Sequence, residues 1–260
     1  AAGVLRTASL RRLKPEKPGW RRAPDQEGVE AMFDGLVDRY DLLNRLISLG
    51  LDRSWRRRTI AAIQPHPGMH VLDLGCGTGD LLELLVPPSP AAAGEGRVRE
   101  AGAVVGIDVS QRMLNRAHQR LGRSVLLVRG SAFRLPFPSA SFQAAVSGFV
   151  LRNLRDLEGA LAELARVVAP GGQIALLDAT EPRGVFRPLF DAYFRVAAPA
   201  LGALAGRRGA YQYLAASLGQ IPPPAQMCLL LEAAGFDACA AQPLSLGMVT
   251  LFTGRRSSAR

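Results

Sequence analysis

Short apolar runs and helical stripes alternate along most of this chain. Val71-Leu72-Asp73-Leu74 is a largely apolar run that ends at a glycine cluster, and Leu81, Leu82, Leu84 and Leu85 then predict a helix. Val104-Val105-Gly106-Ile107-Asp108 reads as a second strand, the run Val125 to Val128 as a third, and Ala144-Ala145-Val146-Ser147 as a fourth. Leu157, Leu161, Leu164, Ala165 and Val168 recur at helical spacing and predict a helix over 157–168. Pro170-Gly171-Gly172 is a turn signal that stops it, and Ile174-Ala175-Leu176-Leu177-Asp178 is a fifth strand. Strands alternating with helices imply a parallel sheet covered on both faces.

Two flanking segments also have helical periodicity. Positions 33, 36, 37, 40, 43 and 47 share one apolar face. Phe186, Phe190, Phe194 and Ala197 do the same within the apolar stretch 185–204, which Arg187, Asp191 and Arg195 interrupt. The second helix is either a core or lid element or one that touches a membrane. Residues 87–101, rich in Pro, Ala, Gly and Arg, read as an exposed loop.

Chemistry enters where the first strand meets the run Gly75-Cys76-Gly77-Thr78-Gly79-Asp80. Glycine lets a backbone turn sharply and approach a ligand. Asp108, ending the second strand, suits the two hydroxyls of a ribose. The dinucleotide fingerprint is G-x-G-x-x-G, with pyrophosphate on the helix N-terminus. Here the spacing is G-x-G-x-G, and Asp80 at the helix start would repel a pyrophosphate, although it suits the helix dipole and can face a cation. S-adenosylmethionine fits, with a ribose, no phosphate, and cationic amino and sulfonium groups. The candidate cofactor-binding residues are Asp73, Gly75, Gly77, Thr78, Gly79, Asp80 and Asp108. Ser131 and Ala132, after the third strand, would lie beside the adenine, and Gly148 ends the fourth strand. Without a ligand, the same motif would be only a tight strand-to-helix turn.

Composition narrows the class. A chain of 260 residues, 48% hydrophobic, is one domain of somewhat above average size with ample core. Cys76, Cys228 and Cys239 give neither a disulfide framework nor zinc spacing, which points to a reducing compartment. His66, His70 and His118 are scattered, so no metal is expected. Cys76 reads as packing in the turn rather than as a nucleophile. The net charge is +10, and the first 23 residues hold seven Lys and Arg against one acid, Glu16. This arm is expected to be mobile. It reads as a solvated tail, an anchor to anionic lipid, or the remnant of an organelle transit sequence. No uncharged apolar stretch of 18 residues exists, so no transmembrane helix is predicted.

The strand and helix pattern is similar to that of the class I methyltransferases. Two narrower motifs go further: Tyr40-Asp41-x-x-Asn44 with Ser48 and Trp55, and Leu151-Arg152-Asn153-Leu154 after the fourth strand. Together with the glycine turn and Arg166-Val167-Val168-Ala169-Pro170-Gly171-Gly172, the chain resembles the quinone C-methyltransferases of menaquinone and ubiquinone biosynthesis. The resemblance spans about residues 28–254 and includes Tyr211-Gln212-Tyr213-Leu214-x-x-Ser217 and Ala233-Ala234-Gly235-Phe236. The chain departs from the family pattern at several points. Leu43 stands for Met, Asp52 for His, Ser131 for an acid or Asn, Ala169 for Lys, Asp178 for Glu and Gly148 for Ser. None of these removes the cofactor site, and Asp52 supplies no neutral imidazole.

The resemblance implies a Rossmann-like class I S-adenosylmethionine-dependent fold. Its seven-stranded, mostly parallel sheet would carry helices on both faces and an N-terminal helical lid. The expected layout is a basic mobile arm over 1–25, the lid over 26–66 and the core over 67–260, with a helical substrate cap about 183–228. The implied reaction is C-methylation of a prenylated quinol ring, naphthoquinol or benzoquinol, without a metal. Arg152 would stabilise a quinolate oxygen or hold a water, Asn153 and Tyr40 would orient the ring, and Asp41 would position Tyr40 or receive a proton. The plainer readings are that Arg152 is an ion-pair partner for a sheet-edge acid and that Tyr40 is a half-buried core residue.

A bilayer-resident substrate implies a peripheral protein. It would sit in the cytoplasm against the inner membrane, or in a mitochondrion or plastid if the arm is a transit remnant. A homodimer or a quinone-synthesis complex would be its assembly. Three rivals remain: a methyltransferase for another small acceptor, a non-catalytic subunit that keeps the fold, and a nucleic-acid methyltransferase. The last usually needs a polar-Pro-Pro-aromatic loop after the fourth strand. Ser147-Gly148-Phe149-Val150 stands there instead, so no nucleic-acid partner is expected.

Overall fold

A computed structural model describes Val37, Arg45, residues 48–86, 101–182, Gly184, 187–192 and 220–258. Seven strands form one sheet: β1 (Met69–Leu74), β2 (Ala101–Asp108), β3 (Leu126–Arg129), β4 (Phe142–Gly148), β5 (Val168–Ala179), β6 (Phe236–Leu244) and β7 (Val249–Arg256). Their order is β3-β2-β1-β4-β5-β7-β6. The first five are parallel, and β7 runs antiparallel between β5 and β6. This is the expected Rossmann-like, mostly parallel sheet. The strand order reverses between β1 and β4, and ligands bind at such a switch point outside the carboxyl ends of the strands.

The apolar runs are continuous because both sheet faces are buried. Successive strand side chains alternate between faces. Leu72, Leu74, Val105, Ile107, Ala145, Ile174 and Leu176 join one core cluster, while Val71, Val104, Ala144, Val146, Ala175 and Leu177 join the other. On the first face lie α4 (Leu157–Val167) and α6 (Pro224–Ala233), through Leu161, Leu164, Met227 and Leu231. On the second lie α1 (Asp52–Ala62) and α2 (Leu82–Leu85), through Trp55, Ile60, Leu82 and Leu85. α3 (Gln111–Leu121) adds Leu114 there. Ser110 caps α3 by accepting from Met113 N–H at 3.1 Å, and Asp156 caps α4 by accepting from Gly159 N–H at 3.0 Å.

Some boundaries differ from the sequence reading. α4 ends at Val167, and β5 already begins at Val168, so Pro170-Gly171-Gly172 lies within the strand. Phe142 faces Val168 whereas Ala144 faces Gln173. The turn signal is thus absorbed as a bulge, with Gly171 at φ +78°. The expected end of the cap, about 228, falls inside α6. A short helix α5 (Arg187–Ala192) is the described part of the expected helix over 185–204. The expected arm, most of the expected helix over 33–47, the loop 87–100 and residues 193–219 lie outside the described residues.

Candidate active site

The three glycines after β1 serve different ends. The Gly75 and Cys76 N–H groups both donate to Ile107 O, at 2.8 and 3.0 Å, which pins the turn to β2. Gly75 has φ +68°, and a Cβ there would sit 2.4 Å from Val150 Cγ2. Gly79 has φ +89° and would meet Leu121 Cδ1 at 2.7 Å. Gly77, at φ +53°, would meet nothing within 4 Å, because it faces open space.

That space is an open cleft at the carboxyl ends of β1, β2 and β4. Gly75, Gly77, Asp108, Ser131, Ala132 and Gly148 line it, as does Asn153. Asp108 is fixed at the wall: Oδ2 accepts from Gly77 N–H and Oδ1 from Ser110 N–H, each at 2.9 Å. Ser131 holds its own loop by accepting from Phe133 N–H at 3.3 Å.

Asp73 lies at the end of β1, 1% exposed. Neither of its carboxylate oxygens has a hydrogen-bond partner among the described residues. Burial pushes its pKa up from 3.8 to about 8; Arg56 opposes the rise, and Asp108 and Asp80 add to it. A buried acid with no partner is costly unless a ligand supplies one. Burial also pushes the Cys76 thiol well up, which suits a packed side chain rather than a nucleophile.

Four expected cofactor residues do not line the cleft: Asp73, Thr78, Gly79 and Asp80. Asp80 turns to the protein's own cations, with Oδ2 3.0 Å from Arg56 Nη2 and Oδ1 2.9 Å from Arg120 Nη1. Arg120 also donates to the Thr78 carbonyl at 2.9 Å and hydroxyl at 3.2 Å, and to Glu83 at 2.7 Å. Gly79 is closed off by Leu121. Thr78, Gly79 and Asp80 brace the turn from behind. The cations facing Asp80 in this structure are two arginines of the chain itself.

Arg152 and Asn153 lie in the 3₁₀ turn Leu151–Asn153 after β4. The Arg152 guanidinium pairs with Asp178, which is fully buried near the end of β5. Asp178 also accepts from Arg152 N–H at 3.2 Å and from Ala179 N–H at 2.7 Å. The plainer reading expected an ion pair with a sheet-edge acid; the acid here is instead on β5, an interior strand between β4 and β7. Asn153 does reach the cleft, and its Nδ2 donates to Phe149 O at 3.3 Å. Tyr40 and Asp41 lie outside the described residues.

Two residues escaped the sequence reading. Phe149 lines the cleft at φ +64°, a strained conformation for an aromatic residue. Its ring lies 5.4 Å from the Arg56 guanidinium carbon and 5.7 Å from that of Arg152, with Trp55 6.2 Å away. Arg56 comes from α1 and is buried, 3.9 Å from Asp52 as well as bonded to Asp80. Asp52, standing for the family's His, accepts from Ser48 Oγ at 3.1 Å. The Trp55 indole donates to Ser245 Oγ at 2.9 Å, joining α1 to the turn before β7.

Comparison with known proteins agrees with this geometry. The model of the ubiE/COQ5 methyltransferase family matches residues 21–256. A demethylmenaquinone methyltransferase of Deinococcus radiodurans is 38% identical over 88% of this chain and 92% of its own length. A ubiquinone/menaquinone biosynthesis C-methyltransferase of Geobacter sulfurreducens is 30% identical over 91% of each. Among solved structures, a SAM-dependent methyltransferase from Aquifex aeolicus aligns with TM-score 0.56 and 18% identity, covering 87% of this chain and 98% of that one.

Proposed function

The chain belongs to the ubiE/COQ5 methyltransferase family, and on that premise we propose that it C-methylates the ring of a prenylated quinol in menaquinone or ubiquinone biosynthesis. Its cofactor is S-adenosylmethionine. The residues present fit that group: a fixed carboxylate at Asp108 for the ribose hydroxyls, open space at Gly77, and a buried, unmatched carboxylate at Asp73 for the cationic end. When bound, the cofactor supplies an electrophilic methyl group.

The accepting carbon has to be electron-rich, so the reduced ring is the substrate rather than the oxidised one. Asn153 is placed on the cleft wall to hold a ring oxygen. Tyr40 would orient the ring, and Asp41 would position Tyr40 or take the hydroxyl proton, which raises electron density at the carbon. Arg152 positions the Leu151–Asn153 turn through Asp178 and keeps a cation beside the Phe149 ring. Alignment of the reacting atoms carries much of the rate.

A polyprenyl tail resides in a bilayer, and no helix among the described residues is long and apolar enough to cross one. The protein would therefore meet the membrane from its surface. The basic arm 1–25, the lid 26–66 and the cap about 183–228 over the core would be its means of doing so. The observation that carries the proposal is the family match over nearly the whole chain together with the built cleft. Methyl transfer to chemically reduced demethylmenaquinol, run beside the corresponding demethylated benzoquinol precursor, tests it and assigns the ring. Cofactor binding with transfer to neither would favour another acceptor or a structural subunit.

A further inference from the structure

The turn before α1 places apolar side chains in water at some cost. Leu49 is 74% exposed and Leu51 43% exposed, and Leu49 holds φ +51°, which a leucine rarely adopts. The turn is nonetheless built: Gly50 N–H donates to Arg45 O at 2.9 Å, and Leu51 N–H to Ser48 O at 3.0 Å. Beside it an open groove is lined by Arg45, Arg53, Arg57 and Leu84, itself 39% exposed, together with acids. Those acids are already matched. Asp52 and Asp80 face Arg56, Asp80 and Glu83 face Arg120. Arg45, Arg53 and Arg57 are exposed and add cationic charge that these acids do not balance.

The position matters as much as the composition. Four residues beyond Leu51, Trp55 lies 6.2 Å from Phe149 on the wall of the active cleft. One residue further, Arg56 reaches Asp80 behind the glycine turn. The exposed leucines and the arginines thus lie about one helical turn from residues that reach the cleft wall and the glycine turn. Exposed apolar tips next in sequence to exposed arginines suit a bilayer interface, where leucines enter the acyl boundary and guanidinium groups meet lipid phosphates. Building on the functional reading above, we propose that the Ser48–Leu51 turn and the outer face of α1 dock the protein on an anionic lipid bilayer, so that a membrane-resident acceptor enters the cleft from the docked side.

The test is flotation of the full chain with mixed phosphatidylcholine–phosphatidylglycerol vesicles at low salt. The variants are Arg53→Gln/Arg57→Gln and, separately, Leu49→Ser/Leu51→Ser, each retaining the basic arm. Each pair is expected to lower the vesicle-bound fraction about tenfold or more. Both variants should still methylate a short-tailed, water-soluble quinol at the wild-type rate, which also shows that they are folded. Flotation equal to wild type in both variants overturns the docking surface, as does equal wild-type binding to purely neutral vesicles. Failure of the wild-type chain to methylate the soluble quinol would instead count against the functional reading, while flotation still decides the surface.

Discussion

Arg56 Nη2 lies 3.0 Å from Asp80 Oδ2, so a residue of α1 grips the glycine turn from behind the cleft. The same guanidinium stacks on Phe149 and opposes the upward shift of Asp73. Replacement by Ala should cost about 1–3 kcal/mol of stability, since it strips a buried charge of a partner. It should also weaken cofactor binding. Arg56→Lys keeps the charge but not the planar fork, so it should fall between the two. Thermal unfolding and calorimetric titration with the cofactor read both effects.

The glycines separate folding from binding. Gly75→Ala forces a Cβ to 2.4 Å from Val150 and should lower stability by about 1–3 kcal/mol. Gly77→Ala has room for its Cβ, at a backbone cost of about 1 kcal/mol, but points it into the cleft. It should therefore unfold near the wild-type temperature and bind the cofactor at least tenfold more weakly. The two variants are compared by their melting temperatures and dissociation constants.

Asp73 predicts a pH dependence with a definite sign. Its pKa rises from 3.8 to about 8 on folding. Between those values the folded chain holds a proton that the unfolded chain has lost. The stabilisation is complete below about pH 4 and is lost as pH climbs toward 8, by up to ~1.4 kcal/mol per unit. A cationic ligand favours the ionised form, so cofactor affinity should rise across the same window. Asp73→Asn should flatten both profiles, measured by denaturant melts and titrations at several pH values.

The pair Arg152–Asp178 gives a fourth outcome. Asp178 is fully buried, so Arg152→Ala strands a carboxylate and should destabilise the protein by about 3–5 kcal/mol. Exchanging Asp178 for Asn removes the carboxylate that faces the buried Arg152 guanidinium and should cost a comparable amount. It should also slow methyl transfer with little change in cofactor affinity, as expected of a group that positions the turn bearing Asn153. Denaturant melts and single-turnover rates distinguish the two effects.

Four of the first five strands were legible as apolar runs buried on both faces, and the edge strand β3, which buries no residue fully, was legible from its apolar run alone. The glycine turn was legible because its spacing and its acids have few other uses. β6 and β7 were not read from the pattern: β6 buries only Phe236 and Leu244 fully, so its alternation is weak. The direction of Asp80 was hidden because Arg56 and Arg120 are remote in sequence, and a charge does not announce its partner. Arg56 itself was lost in the run Arg56-Arg57-Arg58, of which only the first turns inward. Phe149 gave no signal, since a left-handed backbone is invisible in a side chain that favours strands.

Methyl-labelled S-adenosylmethionine, offered with the demethylated quinol in its reduced and oxidised forms, tests the central claim most directly. The account predicts label on a ring carbon of the reduced acceptor and none on the oxidised one. Label on a ring oxygen, or no transfer from a chain that binds the cofactor, would contradict it.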